Sequence, residues 1–164
     1  MVFANKGAFE QLRSVITCTS HGRETGGGLF GTINGSKLTI SEATFATKDR
    51  QRASCRIDLE RLERQERAHQ ADGDGVVLLG TWHLEPGHGD LKPSKADLRH
   101  WVDMVSRGRR PHFVGATIRR RNAWSLGWDT DAANLRAHVF SRTATGGVDC
   151  SAVVDLKPSP WMLP

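Results

Sequence analysis

The apolar positions fall into blocks that alternate between helical spacing and unbroken runs. Over Gly7 to Thr19, Phe9, Leu12, Val15 and Ile16 form one stripe, which predicts a first helix. The glycine-rich run from His21 to Gly31 is expected to stop it, because glycine takes backbone angles that other residues avoid. Leu29 to Ile33 should enter a strand. Asn34-Gly35 tolerates the positive φ of a two-residue hairpin, so Leu38 to Ala46 should be the partner strand. Asp58 to His69 reads as a mostly charged helix with a narrow core face at Leu59 and Leu62; its Glu/Arg pairs at i,i+4 make a solvated face. Ala71 to Gly75 is the turn that follows.

Val76 to Trp82 is apolar without alternation, the pattern of a strand buried on both faces in the middle of a sheet. Lys95 to Ser106 is an amphipathic helix with Leu98, Trp101, Val102 and Val105 on its core stripe, ended by Arg107-Gly-Arg-Arg-Pro111. His112 to Arg119 and Asn122 to Thr130 read as two paired strands, and Leu135 to Thr143 as a further one. Asp155 to Pro164 reads as a proline-rich tail carrying Trp161. Strands and helices alternate, so the expected class is α/β with a mixed sheet flanked by helices. With no internal repeat or linker, residues 1–164 should form a single domain.

Composition narrows the class. The 164 residues are 38% hydrophobic and 25% charged, enough for a core and too apolar for disorder. No apolar run nears the roughly 20 residues of a membrane span, and the N-terminus lacks a signal-peptide pattern, so a cytoplasmic protein with no membrane partner is expected. Cys18, Cys55 and Cys150 lie far apart without a CxxC pair, which argues against a disulfide framework or a cysteine zinc site and for small buried hydrophobes. The net charge of +5 favours acidic partners or nucleic acid. However, Arg107-Gly-Arg-Arg and Arg119-Arg-Arg-Asn, near Trp124 and Trp128, match no nucleic-acid motif and read as solvated loops.

Candidate chemistry is concentrated between Gly80 and Asp97, which holds two histidines, three carboxylates and a serine. His83 and Glu85, two apart at a strand end, point to the same side. Ser94 and Asp97 share the first turn of the next helix. One imidazole, two carboxylates and an open fourth position suit a catalytic zinc ion. The same Ser94-x-x-Asp97 also reads as a capping box, which needs no metal.

Glu24-Thr-Gly-Gly-Gly-Leu-Phe-Gly31, followed by Trp82-His83-x-Glu85-Pro86 and Pro93-Ser94-x-x-Asp97, resembles the JAMM/MPN (JAB domain) metalloprotease family, in its bacterial branch. The resemblance runs from about Arg23 to Trp101. It implies a JAMM/MPN-type fold in which His83 and Asp97 bind zinc, Glu24 acts as general base and then general acid, and Ser94 donates to the oxyanion. It also implies cleavage of peptide or isopeptide bonds after the C-terminal glycine of a ubiquitin-like protein, as in a deubiquitinase-like hydrolase. Implied partners are a ubiquitin-like protein or its conjugates, and E1-like or E2-like enzymes. Glu85 stands where the family has its second histidine, and the gap from it to Ser94 is one residue longer than usual. Glu85 is a competent ligand, His88 in the same loop is the alternative source of an imidazole, and the added carboxylate shifts preference toward harder divalent ions. The other reading is a metal-impaired, non-catalytic MPN module that binds a ubiquitin-like protein or a conjugation enzyme.

Overall fold

Strand β6 (Val77–Glu85) lies in the middle of a seven-stranded sheet, as its unbroken apolar run requires. The structure is a computed structural model, described over residues 2–18, 24–50, 55–85, 91–107, 111–120 and 133–155. The chain runs β1 (Val2–Ala4), α1 (Lys6–Cys18), β2 (Thr25–Asn34), β3 (Lys37–Phe45), β4 (Thr47–Arg50), β5 (Cys55–Ile57), α2 (Leu59–Asp72) and β6. It continues with α3 (Lys95–Arg107), β7 (His112–Arg120), β8 (Ala133–Arg142) and β9 (Val148–Asp155). The sheet order is β1-β3-β2-β6-β7-β8-β9, with β4 and β5 forming a separate two-stranded sheet. β1/β3 and β6/β7 are parallel pairs; the other pairings are antiparallel. The class is therefore α/β with a mixed sheet, as the alternating pattern predicts.

Parallel neighbours need a long crossover, and α3 supplies the one between β6 and β7. Helix α1 covers one face with Ala8 and Leu12, against a cluster that includes Trp82, Leu84, Val114 and Ile118. Helices α2 and α3 cover the other face. Leu62 packs on Phe30 and Leu78, and Trp101 and Val105 pack on Phe113 and Phe140.

Several expectations change. The glycines at 26–28 are not a loop: β2 begins at Thr25 and carries all three, none with positive φ. They are needed because neighbours crowd the strand; a Cβ on Gly27 would lie 1.6 Å from the Thr44 carbonyl oxygen, and one on Gly28 would lie 2.6 Å from Leu62 Cδ2. In the hairpin, Asn34 is still paired, with Lys37, so the two turn residues are Gly35 and Ser36. On α3, Trp101 and Val105 are buried, whereas Leu98 and Val102 are exposed. Within the charged face of α2, Glu66 is buried: its Oε1 accepts the Leu78 N–H at 3.0 Å, next to the bulge where β2 and β6 change register. Cys150 is exposed rather than buried, because β9 is an outer strand of the sheet, and Cys55 is half-buried.

Four short or polar strands, β1, β4, β5 and β9, have no counterpart in the sequence reading. The strand expected at Asn122 to Thr130, with Trp124 and Trp128, lies outside the described residues, as does Trp161. The antiparallel partner of β7 is β8.

Candidate functional site

β6 does not end before the polar stretch; it carries His83 and Glu85 as its last alternating residues on the α3 side. The chain re-enters with α3, whose first turn is closed by Ser94 and Asp97. Ser94 Oγ accepts the Asp97 N–H (3.2 Å), and Asp97 Oδ2 accepts the Ser94 N–H (2.8 Å) and hydroxyl (2.5 Å). The capping box is thus real, and it aims the Asp97 carboxylate back at β6.

His83 Nε2 lies 3.3 Å from Glu85 Oε1 and 3.5 Å from Asp97 Oδ2. One donor atom from each of the three residues lies within 4.8 Å of the others. These separations are long for a charge-assisted imidazole–carboxylate bond, which settles at about 2.7–2.9 Å. The protein makes such a bond elsewhere, between His69 Nδ1 and Asp74 Oδ2 at 2.7 Å. Four ligands at about 2.0–2.2 Å from a tetrahedral ion are instead separated by roughly 3.3–3.5 Å. The donor set fits a divalent cation in chemistry, and the two distances from His83 Nε2 match that spacing. His88 lies outside the described residues.

Glu24 reaches the same place from far upstream. β2 and β6 are antiparallel with Thr25 opposite Leu84, so Glu24 is level with Glu85. Its carboxylate accepts a hydrogen bond from the Cys55 backbone, and its pKa is raised: burial is the largest cause, His83 opposes it, and Glu85 and Asp97 add to it. Glu24, His83, Glu85, Ser94 and Asp97 all line one cleft of about 380 Å³. The five residues singled out in the sequence are therefore brought together.

Three further groups were missed. Cys55, Arg56 and Ile57 of β5 form one wall of the cleft, and nothing local in the sequence marks them. Burial, then Glu24 and Asp97, push the Cys55 thiol up to about 12, so it is no thiolate nucleophile. His100 also lines the cleft, and its i,i+3 spacing from Asp97 is the signal that would have found it. Burial lowers its pKa, and its Nε2 has no hydrogen-bond partner. Trp101 stacks on His83, with ring centroids 5.8 Å apart and planes 25° from parallel. No helix among the described residues is long and apolar enough to cross a membrane.

No protein-family model and no curated protein matches the chain. Solved structures do. Protein DSY2949 from Desulfitobacterium hafniense is 18% identical with a TM-score of 0.59, covering 97% of this chain and 93% of its own. A protein from Salinibacter ruber is 16% identical with a TM-score of 0.49, covering 96% of this chain and 92% of its own. The first shares the fold over nearly the whole chain.

Proposed function

We propose that this protein is a metal-dependent peptidase or isopeptidase of JAMM/MPN type, with His83, Glu85 and Asp97 holding one divalent cation and Glu24 acting as the base. The carrying observation is the convergence of Glu24, from before β2, on a cleft already lined by that donor set and Ser94. A structural role alone gives no reason to gather three carboxylates around one imidazole. Zinc is the first candidate, with a harder ion favoured in proportion to the two carboxylates. When bound, the cation supplies Lewis acidity that lowers the pKa of water and polarises a carbonyl.

The chain's own residues carry the remaining steps. Glu24 accepts a hydrogen bond from the Cys55 backbone, and burial, which raises its pKa, makes it a better base than a solvated carboxylate. It takes a proton from the attacking water and later returns it to the leaving amine. Ser94 must turn its hydroxyl hydrogen from Asp97 Oδ2 to the developing oxyanion. An extended Gly-Gly tail has no side chains to clear the cleft walls and suits main-chain pairing along a strand. The proposed substrate is therefore the C-terminus of a ubiquitin-like protein or its conjugate, in the cytoplasm, with E1-like or E2-like enzymes as companions.

The test has two parts. Metal analysis of the purified protein should find about one divalent ion per chain, and cleavage of ubiquitin-like fusion proteins should stop on Glu24→Gln while the metal stays. Failure of wild type to hold stoichiometric metal, together with no cleavage by Glu85→His, would refute the enzyme. One observation favours a non-catalytic module: the Ser94 hydroxyl is already spent on Asp97. That reading predicts binding of a ubiquitin-like protein without turnover.

A further inference from the structure

We propose that Trp101 is a positioning residue for His83, its locked indole setting the imidazole plane that presents Nε2 to Glu85 and Asp97. This rests on the metal-site reading. His83 supplies the one imidazole of the donor set, on a strand, through two rotatable bonds, whereas a working site needs its ligands within about 0.5 Å and 10–20° of the productive arrangement. Glu85 holds Nε2 only through a long hydrogen bond of 3.3 Å and Asp97 lies at 3.5 Å, contacts at one edge atom that leave the plane of the ring free to turn. The restraint comes from the face of the ring.

Trp101 can serve because it cannot move. It is 1% exposed, and its Nε1 donates to Thr81 Oγ1 at 3.2 Å, on β6 two residues before His83. His138 stacks on it as well, with centroids 5.8 Å apart and planes at 27°. Gly115, paired with Thr81 on β7, lies against it: a Cβ there would be 2.2 Å from Trp101 Cδ2. The absent side chain at Gly115 makes room for the indole. His138 also hydrogen-bonds the backbone of Leu91, at the start of the segment leading into Ser94 and α3. The stack therefore ties β6, β7, β8 and the α3 entry into one block, and the aromatic plane is the part His83 meets.

The experiment compares zinc affinity, by chelator competition, and the visible spectrum of the cobalt(II) form across wild type, Trp101→Phe, Trp101→Leu and Thr81→Val. Thermal melting is recorded in parallel. Removing a partner that orients a ligand costs roughly 10–100-fold in metal affinity. We expect Trp101→Leu to weaken zinc by at least about tenfold and alter the cobalt spectrum. Trp101→Phe, which restores a flat ring, should stay within about threefold although both variants melt lower. Thr81→Val, which frees the indole edge and keeps the core, should weaken zinc by roughly three- to tenfold, and decides the matter if Trp101→Leu does not fold. Wild-type affinity in Trp101→Leu or Thr81→Val, or equal loss in the Phe and Leu variants, overturns the role of the stack. Absence of zinc binding by wild type itself would instead overturn the metal reading and this inference with it.

Discussion

Gly27→Ala tests whether the glycine run of β2 is there for close packing. The added methyl carbon would lie 1.6 Å from the Thr44 carbonyl oxygen and 2.7 Å from its carbon, and 3.0 Å from Trp82 Nε1. Ordinary contact needs roughly 3.5 Å, so β3 would have to retreat by about 2 Å. The Thr44 oxygen also accepts the Trp82 indole N–H at 3.2 Å, and Gly27 pairs with Phe45 in the ladder. Overpacking costs about 1–3 kcal/mol and two broken hydrogen bonds about 0.5–1.5 each, which gives a loss of about 2–6 kcal/mol. The gain from removing a glycine, about 0.5–1 kcal/mol, is too small to offset it. For a chain of this size the melting temperature should fall by roughly 4–24 °C. Thermal unfolding followed by circular dichroism measures it. Gly7→Ala is the control: its Cβ meets only Asn5 Oδ1 at 3.6 Å, inside α1, and should raise the melting temperature by about 1–4 °C. A Gly27→Ala variant melting within about 2 °C of wild type would refute the packing argument.

Other consequences follow from the charged groups. In the metal-free protein, Glu24 should titrate above the ordinary 4.5, and a bound cation should bring it down; carbon-13 NMR of the carboxyl reads both, and a metal-insensitive value would detach Glu24 from the site. His69, held by Asp74 and facing Glu42 at 3.2 Å, has a raised pKa, chiefly through the Asp74 hydrogen bond. Asp74 has a lowered one, chiefly through the Val76 N–H. The His69 contribution is fully present below about pH 6.5 and lost as pH rises through the raised value; that of Asp74 is present above about pH 4 and lost as pH falls through the lowered one. Stability from this clamp should therefore be greatest between about pH 4 and 6.5, and His69→Gln should flatten the decline above that window in urea titrations. With a pKa of about 12, Cys55 should be alkylated roughly 10³-fold more slowly at pH 8 in the folded protein than in urea, by peptide mapping; equal rates would place the thiol in solvent.

Much of the fold was legible because its signals are local. The stripe of α1, the charged run of α2 and the unbroken apolar run of β6 each report on neighbours within one or two turns or along one strand, although α2 runs to Asp72, past the end expected at His69. So does Ser94-x-x-Asp97, which is both a cap and part of the site. The glycines of β2 were misread for the complementary reason. Their locality says turn, while what excludes a side chain is Thr44 on the next strand, Trp82 across the ladder and Leu62 on α2. The buried Glu66 and the half-exposed α3 stripe also depend on which surface each helix meets.

By itself the sequence determined which donors exist, His83, Glu85, Asp97, Ser94 and Glu24, and that strand spacing puts the first two on one side. Only the tertiary structure decided that the β2–β6 register brings Glu24 level with Glu85, that β5 walls the cleft, and that Trp101 lies against the imidazole. Strand period and helix period act through covalent neighbours a few residues apart. Register, burial and stacking are set by chain segments distant in sequence, and the spacing of a metal's ligands depends on all of them together.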